Sequence, residues 1–203
     1  MKTAKNVIVL TVITVLAGFL LGYVYDITKG PIADATEKAK QEAYKSVFQS
    51  AESFTEVPGF NSDIASSGVN NAGIASVTID EALEAKDASG NTLGYVVTVT
   101  SPEGYGGDVQ LSMGIANDGT INGIEFLSLS ETAGLGMKAD TVEFKSQFNG
   151  MQVAQVSYTK TGKQNDYEID AISGATITTS AVTNAVNAGL VYFDTIAGGE
   201  GNE

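Results

Sequence analysis

Val109-Gln110-Leu111-Ser112-Met113-Gly114-Ile115, then a polar break at Asn117-Asp118-Gly119, then Ile121-Asn122-Gly123-Ile124-Glu125-Phe126-Leu127-Ser128-Leu129 decide the fold class. Each run has the length of a strand and is rich in β-branched and large apolar side chains. The Asn-Asp-Gly between them has the chemistry of a hairpin connection, where Gly and Asn tolerate positive φ. Upstream, strand-like runs at 92–100 and 82–86 are joined by a second connection of the same kind, Asp87-Ala88-Ser89-Gly90-Asn91, and a further run covers 74–79. Downstream a strand is expected over about 152–158, so the sheet occupies about 74–158.

Helical periodicity brackets this sheet. In residues 177–196 apolar side chains recur at 177, 181, 182, 185, 186, 190 and 193, the 3.6-residue repeat of a helix that packs one face on a sheet. Ahead of the strands, residues 34–54 carry a similar stripe in Ala43, Tyr44, Val47, Phe48, Ala51 and Phe54. Strands in the middle with helices at both ends predict an α+β domain, an antiparallel-rich sheet flanked by helices, and not an alternating βαβ fold. Residues 56–71, rich in Ser, Asn and Gly, read as a loop. The tail at 198–203 lacks apolar side chains and reads as disordered.

Residues 6–25 are twenty in a row without a charge, which as a helix span about 30 Å, the hydrocarbon thickness of a bilayer. Lys2 and Lys5 precede the run, and all 24 acidic residues follow it. The positive end is therefore expected in the cytoplasm: residues 1–5 inside, a transmembrane helix over 6–25, and an extracytoplasmic domain over 26–197. Tyr23 and Tyr25 fall where an interfacial aromatic belt belongs, and Gly30-Pro31 is expected to break the helix. Ala33-Asp34-Ala35 offers a signal-peptide cleavage site, but the apolar run exceeds the usual h-region, which favours a retained anchor. Gly18 and Gly22 form a Gly-x-x-x-Gly pair that suits close helix approach, although Gly is common in such helices anyway.

The formal charge of -13 argues against nucleic acid and anionic lipid surfaces as partners. With no Cys, no His and no Trp, disulfides, Cys or His zinc sites, iron–sulfur ligation, His-ligated haem and His-based triads are all excluded. Redox chemistry in this chain requires an organic cofactor. Ser157-Tyr158-Thr159-Lys160 matches Ser-x-x-Lys, but on a strand the two side chains point to opposite faces. Asn165, Asp166, Glu168 and Asp170 lack EF-hand spacing, so no metal site is assigned.

Asp170-Ala171-Ile172-Ser173-Gly174-Ala175-Thr176 joins the strand region to the last helix. Gly174 permits a turn that a Cβ obstructs, Ala175 leaves room, and Thr176 arrives at or near the first helical turn. Free N–H groups and the positive end of the helix dipole stabilise a phosphate there. Read alone, the same residues also make an ordinary helix cap.

This run resembles the flavinylation sequence of the FMN-binding domain in the G subunit of the Rnf electron-transport complex, and is similar to that of the C subunit of the sodium-pumping NADH:quinone oxidoreductase. Glu131-Thr132-Ala133-Gly134-Leu135-Gly136 resembles a second family segment, with Ala133 in place of its Pro. Gly94-Tyr95 with Val96 to Ser101, and Gly104-Tyr105-Gly106-Gly107, resemble the strand and Gly-rich loop before it. The resemblance covers nearly the whole chain.

It implies FMN joined by a phosphoester to Thr176, with Asp170, Ser173, Gly174 and Ala175 around the attachment point and Glu131, Thr132, Gly134, Leu135 and Gly136 in the flavin wall. Lys138 is either a cation near the ring or simply solvated. An ester at the phosphate is remote from the isoalloxazine, so the pocket sets the potential and the bond supplies retention. The implied role is electron transfer, without catalysis by the chain alone, in an Rnf-type complex that moves electrons between ferredoxin and NAD while translocating Na+ or H+. Its partners are the other membrane subunits and a flavin transferase using FAD and Mg2+. The alternatives are the C subunit of the quinone reductase and a non-catalytic surface binding module.

Overall fold

The computed structural model describes residues 2–74 and 76–198. The chain divides into two compact units, the first ending at Gln41 and the second beginning at Glu42. The tail expected to be disordered lies, beyond residue 198, outside the described residues.

Helix α1 runs without interruption over Lys2–Val47, and Pro31 lies inside it. The expected break at Gly30-Pro31 is therefore corrected. The fixed φ of proline is itself helical, and the ring removes one donor and crowds the preceding turn without forbidding continuation. The hydroxyls of Thr28 and Thr36 turn back onto the carbonyls of Val24 and Ile32 on either side of it. In the first unit the apolar side chains face outward: Leu10, Leu16, Phe19 and Leu21 are all exposed. The helix is long and apolar enough to cross a membrane, which fits a single-pass anchor.

The second unit is built on a five-stranded antiparallel meander in the order β1-β2-β3-β4-β5. Its strands are β1 (Ser53–Glu56), β2 (Thr78–Lys86), β3 (Thr92–Ser101), β4 (Val109–Ala116) and β5 (Ile121–Leu129). The period of two divides the side chains between two faces. Tyr95, Val97 and Val99 of β3 and Leu111, Met113 and Ile115 of β4 enter the larger core, while Val96 enters a smaller one with Tyr44, Val47, Phe48, Leu83 and Ala85. The end of α1 thus covers one face of the sheet. Gly114 makes this possible, since a Cβ there would collide with the Val47 carbonyl oxygen.

Two expectations about the approach to the sheet change. The helix expected over 34–54 stops at Val47, and Ser53–Glu56 is β1, pairing with β2. The runs at 74–79 and 82–86 form one strand, Thr78–Lys86, with a register shift between Ile79 and Glu81. β1 covers β2 only from Leu83 to Lys86, and the edge beyond it is bonded by α2 (Ser62–Asn71), which lies within the stretch read as a loop. The Asn61 side chain caps it by accepting from the Ile64 N–H, and the Ser62 hydroxyl donates to the Ile79 carbonyl. Ser66 Oγ accepts from the Ile79 N–H. Ser62 and Ser66, which made the segment look like a loop, thus satisfy the edge of β2 at Ile79.

After β5 come a 3-10 turn at Gly136–Asp140, the one-turn α3 (Val142–Lys145), and a second 3-10 turn at Ser146–Phe148. A short parallel pair follows, β6 (Ser157–Thr159) with β7 (Glu168–Asp170). The strand expected over 152–158 shrinks to β6 because the Val156 N–H and C=O are taken by the Asn187 side chain instead of a neighbouring strand. The last helix, α4 (Thr176–Ala197), buries Ala181, Val182, Ala185, Val186 and Phe193 against the larger core. Tyr95 meets the Phe193 ring at 5.9 Å between centroids.

Candidate functional site

Two segments far apart in sequence meet at the start of α4. The first is the turn after β5: the N–H groups of Leu135 and Met137 both bond the Thr132 carbonyl, and Gly134, just before them, takes φ +77. The second is the turn before α4, where the Ala175 N–H bonds the Ile172 carbonyl and Gly174 takes φ +80. A side chain is strained at either glycine. Leu135 packs on Gly174, its Cδ2 3.1 Å from where a Cβ would sit. The cleft between them holds about 560 Å³. Glu131, Thr132, Leu135 and Gly136 line one side and Gly174 and Ala175 the other, and the exposed Tyr105 lines it as well.

Thr176, Ile177 and Thr178, the first three residues of α4, line the same cleft. The residue before them, Ala175, cannot cap with its side chain, and no side-chain cap is made. The leading N–H groups of a 22-residue helix therefore open on the cleft, where an anion gains both hydrogen bonds and the helix dipole. Ser173 does not cap the helix, so the ordinary-cap reading of the Ser-Gly-Ala-Thr run is not what the structure adopts.

The hydroxyls near the helix start differ sharply. Thr179 Oγ1 accepts from the Ile172 N–H and donates to the Ala175 carbonyl, locking the turn. Thr178 is buried, with 1% of its surface exposed. Thr176 is half-buried on the cleft, and its hydroxyl makes no hydrogen bond to another described residue. The Thr132 and Thr178 hydroxyls on the same cleft likewise make no hydrogen bond to another described residue.

Of the residues singled out in the sequence, Glu131, Thr132, Leu135, Gly136, Gly174, Ala175 and Thr176 line the cleft. Gly134 shapes the turn without lining it. Asp170 and Ser173 lie elsewhere, in a separate cleft of about 350 Å³ that also contains Lys138. Asp170 is a strut there: its N–H donates to Gln147 Oε1 at 2.6 Å, and its Oδ1 accepts from the Lys163 N–H at 2.6 Å. Ile177 and Thr178 were not singled out. The helical periodicity assigned position 177 to the packed face, whereas Ile177 is 52% exposed at the cleft. Position in the first helical turn after the motif was the signal that would have found both.

The cleft lining holds one carboxylate, Glu131, and no cationic side chain. Glu131 Oε1 accepts from the Tyr105 N–H at 2.8 Å and the Gly106 N–H at 3.4 Å. Leu135, Ile177 and Tyr105 provide apolar surface beside these polar groups. An apolar slot ending in convergent N–H donors suits a planar ring system carrying a phosphate, and its volume lies in the range of small-molecule sites.

Residues 104–191 match the FMN-binding domain family. The chain is 35% identical over 192 residues to the G subunit of the ion-translocating oxidoreductase complex of Methanosarcina acetivorans, covering 94% of each chain. It is 32% identical over 194 residues to the G subunit of the Na(+)-translocating ferredoxin:NAD(+) oxidoreductase complex of Acetobacterium woodii, covering 94% of this chain and 91% of that one. The C subunit of the Na(+)-translocating NADH-quinone reductase of Parabacteroides distasonis superposes with a TM-score of 0.55 over 81% of this chain and 92% of that one. At 19% identity this last likeness is one of fold.

Proposed function

This chain belongs to the family of G subunits of ion-translocating oxidoreductase (Rnf) complexes, and from that premise we propose that it is their membrane-anchored electron carrier, with FMN esterified through its phosphate to Thr176. The observation that carries this reading is the meeting of the 131–136 and 174–176 segments in one cleft at an uncapped helix start, with an unengaged hydroxyl at its first residue. FMN supplies one- and two-electron transfer chemistry that the side chains of this Cys- and His-free chain lack.

The chain's own residues have separable tasks. The N–H groups at the start of α4 would hold the phosphate, and Thr176 Oγ1 would attack the FMN-side phosphorus of FAD on an Mg2+-dependent transferase, forming the Oγ1–P bond as the pyrophosphate bridge breaks, with AMP leaving and the hydroxyl proton released. Leu135, Ile177 and Tyr105 exclude water from the ring, and Thr132 and Thr178 offer it hydroxyls. The lack of a cation in the cleft argues for the covalent bond. A phosphate monoester dianion is poorly held in a chain of net charge -13, whereas a diester carries one charge fewer and cannot dissociate. With Lys2 and Lys5 ahead of the apolar run, the domain lies outside the cytoplasm, where lost FMN is not readily replaced. The electrons it relays pass between neighbouring carriers of a ferredoxin:NAD oxidoreductase that moves Na+ or H+.

The test is expression of the full chain with and without a flavin transferase, followed by denaturing electrophoresis and in-gel flavin fluorescence. A fluorescent band only with the transferase, lost in Thr176→Val, is expected. A dark wild-type band beside a labelled control protein overturns the reading.

A further inference from the structure

We propose that Glu131 is a positioning residue that holds the Gly-rich loop at 104–107, and with it Tyr105, over the cleft; this rests on the FMN reading above. The loop has three glycines among four residues, so without a tie it gains much conformational freedom. Two backbone donors on it, the Tyr105 and Gly106 N–H groups, converge on the single oxygen Glu131 Oε1. Bonds of this kind to an ionised carboxylate are stronger than those to a neutral acceptor.

The backbone around this carboxylate is closely packed. A Cβ on Gly104 would collide with the Gly107 carbonyl oxygen and lie 2.9 Å from Glu131 Oε1, and a Cβ on Gly136 would lie 2.6 Å from both Glu131 Oε2 and Thr178 Oγ1. A Cβ on Gly106 would collide with the Ser130 carbonyl oxygen. Gly104 and Gly106 thus let the loop fold tightly on itself and pack against Ser130 and Glu131, and Gly136 packs against Glu131 and Thr178. At its near end the same loop is tied to α4, where Asn184 Nδ2 donates to Glu103 Oε2 at 2.6 Å.

Between these ties sits Tyr105, 72% exposed and the one aromatic side chain lining the cleft among the described residues. Glu131, itself in the cleft wall, thereby sets through the loop how much solvent reaches a bound ring system. A glutamine at this position keeps an acceptor oxygen for the Tyr105 N–H, whereas alanine removes the tie altogether.

The experiment compares the full chain with Glu131→Ala, Glu131→Gln and Tyr105→Leu. Hydrogen exchange at the amides of 105 and 106 reads the tie, and acrylamide quenching of flavin fluorescence reads the exposure of the ring. In Glu131→Ala, exchange at these amides is expected to quicken about tenfold or more, and quenching to rise towards that of Tyr105→Leu. Glu131→Gln should fall between wild type and alanine on both readouts. Tyr105→Leu should raise quenching with loop exchange at the wild-type rate, which tests the covering role even where Glu131→Ala does not fold. Wild-type exchange and quenching in Glu131→Ala, or unchanged quenching in Tyr105→Leu, overturns the proposal. Exchange measured in flavin-free Thr176→Val reads the tie independently, so a wild-type chain that takes up no flavin counts against the FMN reading instead.

Discussion

Leu135 rests on Gly174: its Cδ2 stands 3.1 Å from the place a Cβ would occupy, and the contact joins two segments separated by almost forty residues. Everything attributed to the cleft depends on this seating, because it sets the distance between the wall after β5 and the start of α4.

Gly174→Ala should therefore do two things. At φ +80 an L residue sits in the left-handed region, at a cost of about 1–2 kcal/mol, and the new methyl group presses on Leu135. Denaturant unfolding of the detergent-solubilised chain should show that loss. In-gel flavin fluorescence should fall in parallel as Thr176 is displaced.

A second prediction concerns the other face of the sheet. Gly114→Ala puts a methyl group against the Val47 carbonyl, where the end of α1 seats on β4. Backbone has little room to yield, so the expected cost is about 1–3 kcal/mol, read as a lower unfolding midpoint. The cleft lies away from this contact, and flavin labelling of the folded fraction should stay at the wild-type level.

Alkaline pH supplies a third. Burial lowers the pKa of Lys145, but hydrogen bonds and charge from Glu125 at 2.5 Å and Asp140 at 2.9 Å outweigh it, and the net shift is upward from 10.5. A group whose pKa is raised on folding stabilises the protein below its unfolded pKa and loses that contribution as pH rises through the folded value. The gap in melting temperature between wild type and Lys145→Met should hold constant from neutral pH upward and close above about pH 10.5. A gap that widens with alkalinity contradicts this assignment.

The sheet was the most legible part of the sequence, since the hairpin connections at 87–91 and 117–119 and the alternating runs around them correspond to β2 through β5. Elements held by side-chain-to-backbone bonds were not. Asn187 satisfies Val156 across 31 positions, so a stretch that looks like a strand need not pair as one. Ser62 and Ser66 bond Ile79, a partner that no local window contains. Pro31 marked a break by local preference, yet the helix on either side continued through it.

At the site, residue identity was easier to read than placement. Glu131 to Gly136 and Gly174 to Thr176 carried a family resemblance, and the structure brings most of them together. Asp170 carried it equally, but β7 turns it to the side of Gln147 and Lys163. Linear proximity to Thr176 says nothing about which side of the strand a carboxylate leaves from.

The attachment point is the centre of the account, and peptide sequencing by mass spectrometry tests it most directly. Wild-type chain isolated from membranes containing a flavin transferase should yield a peptide whose added mass, FMN less one water, resides on Thr176. The same mass on Ser173, Thr178 or Thr179, or an unmodified Thr176 peptide from chain that fluoresces after denaturation, contradicts it.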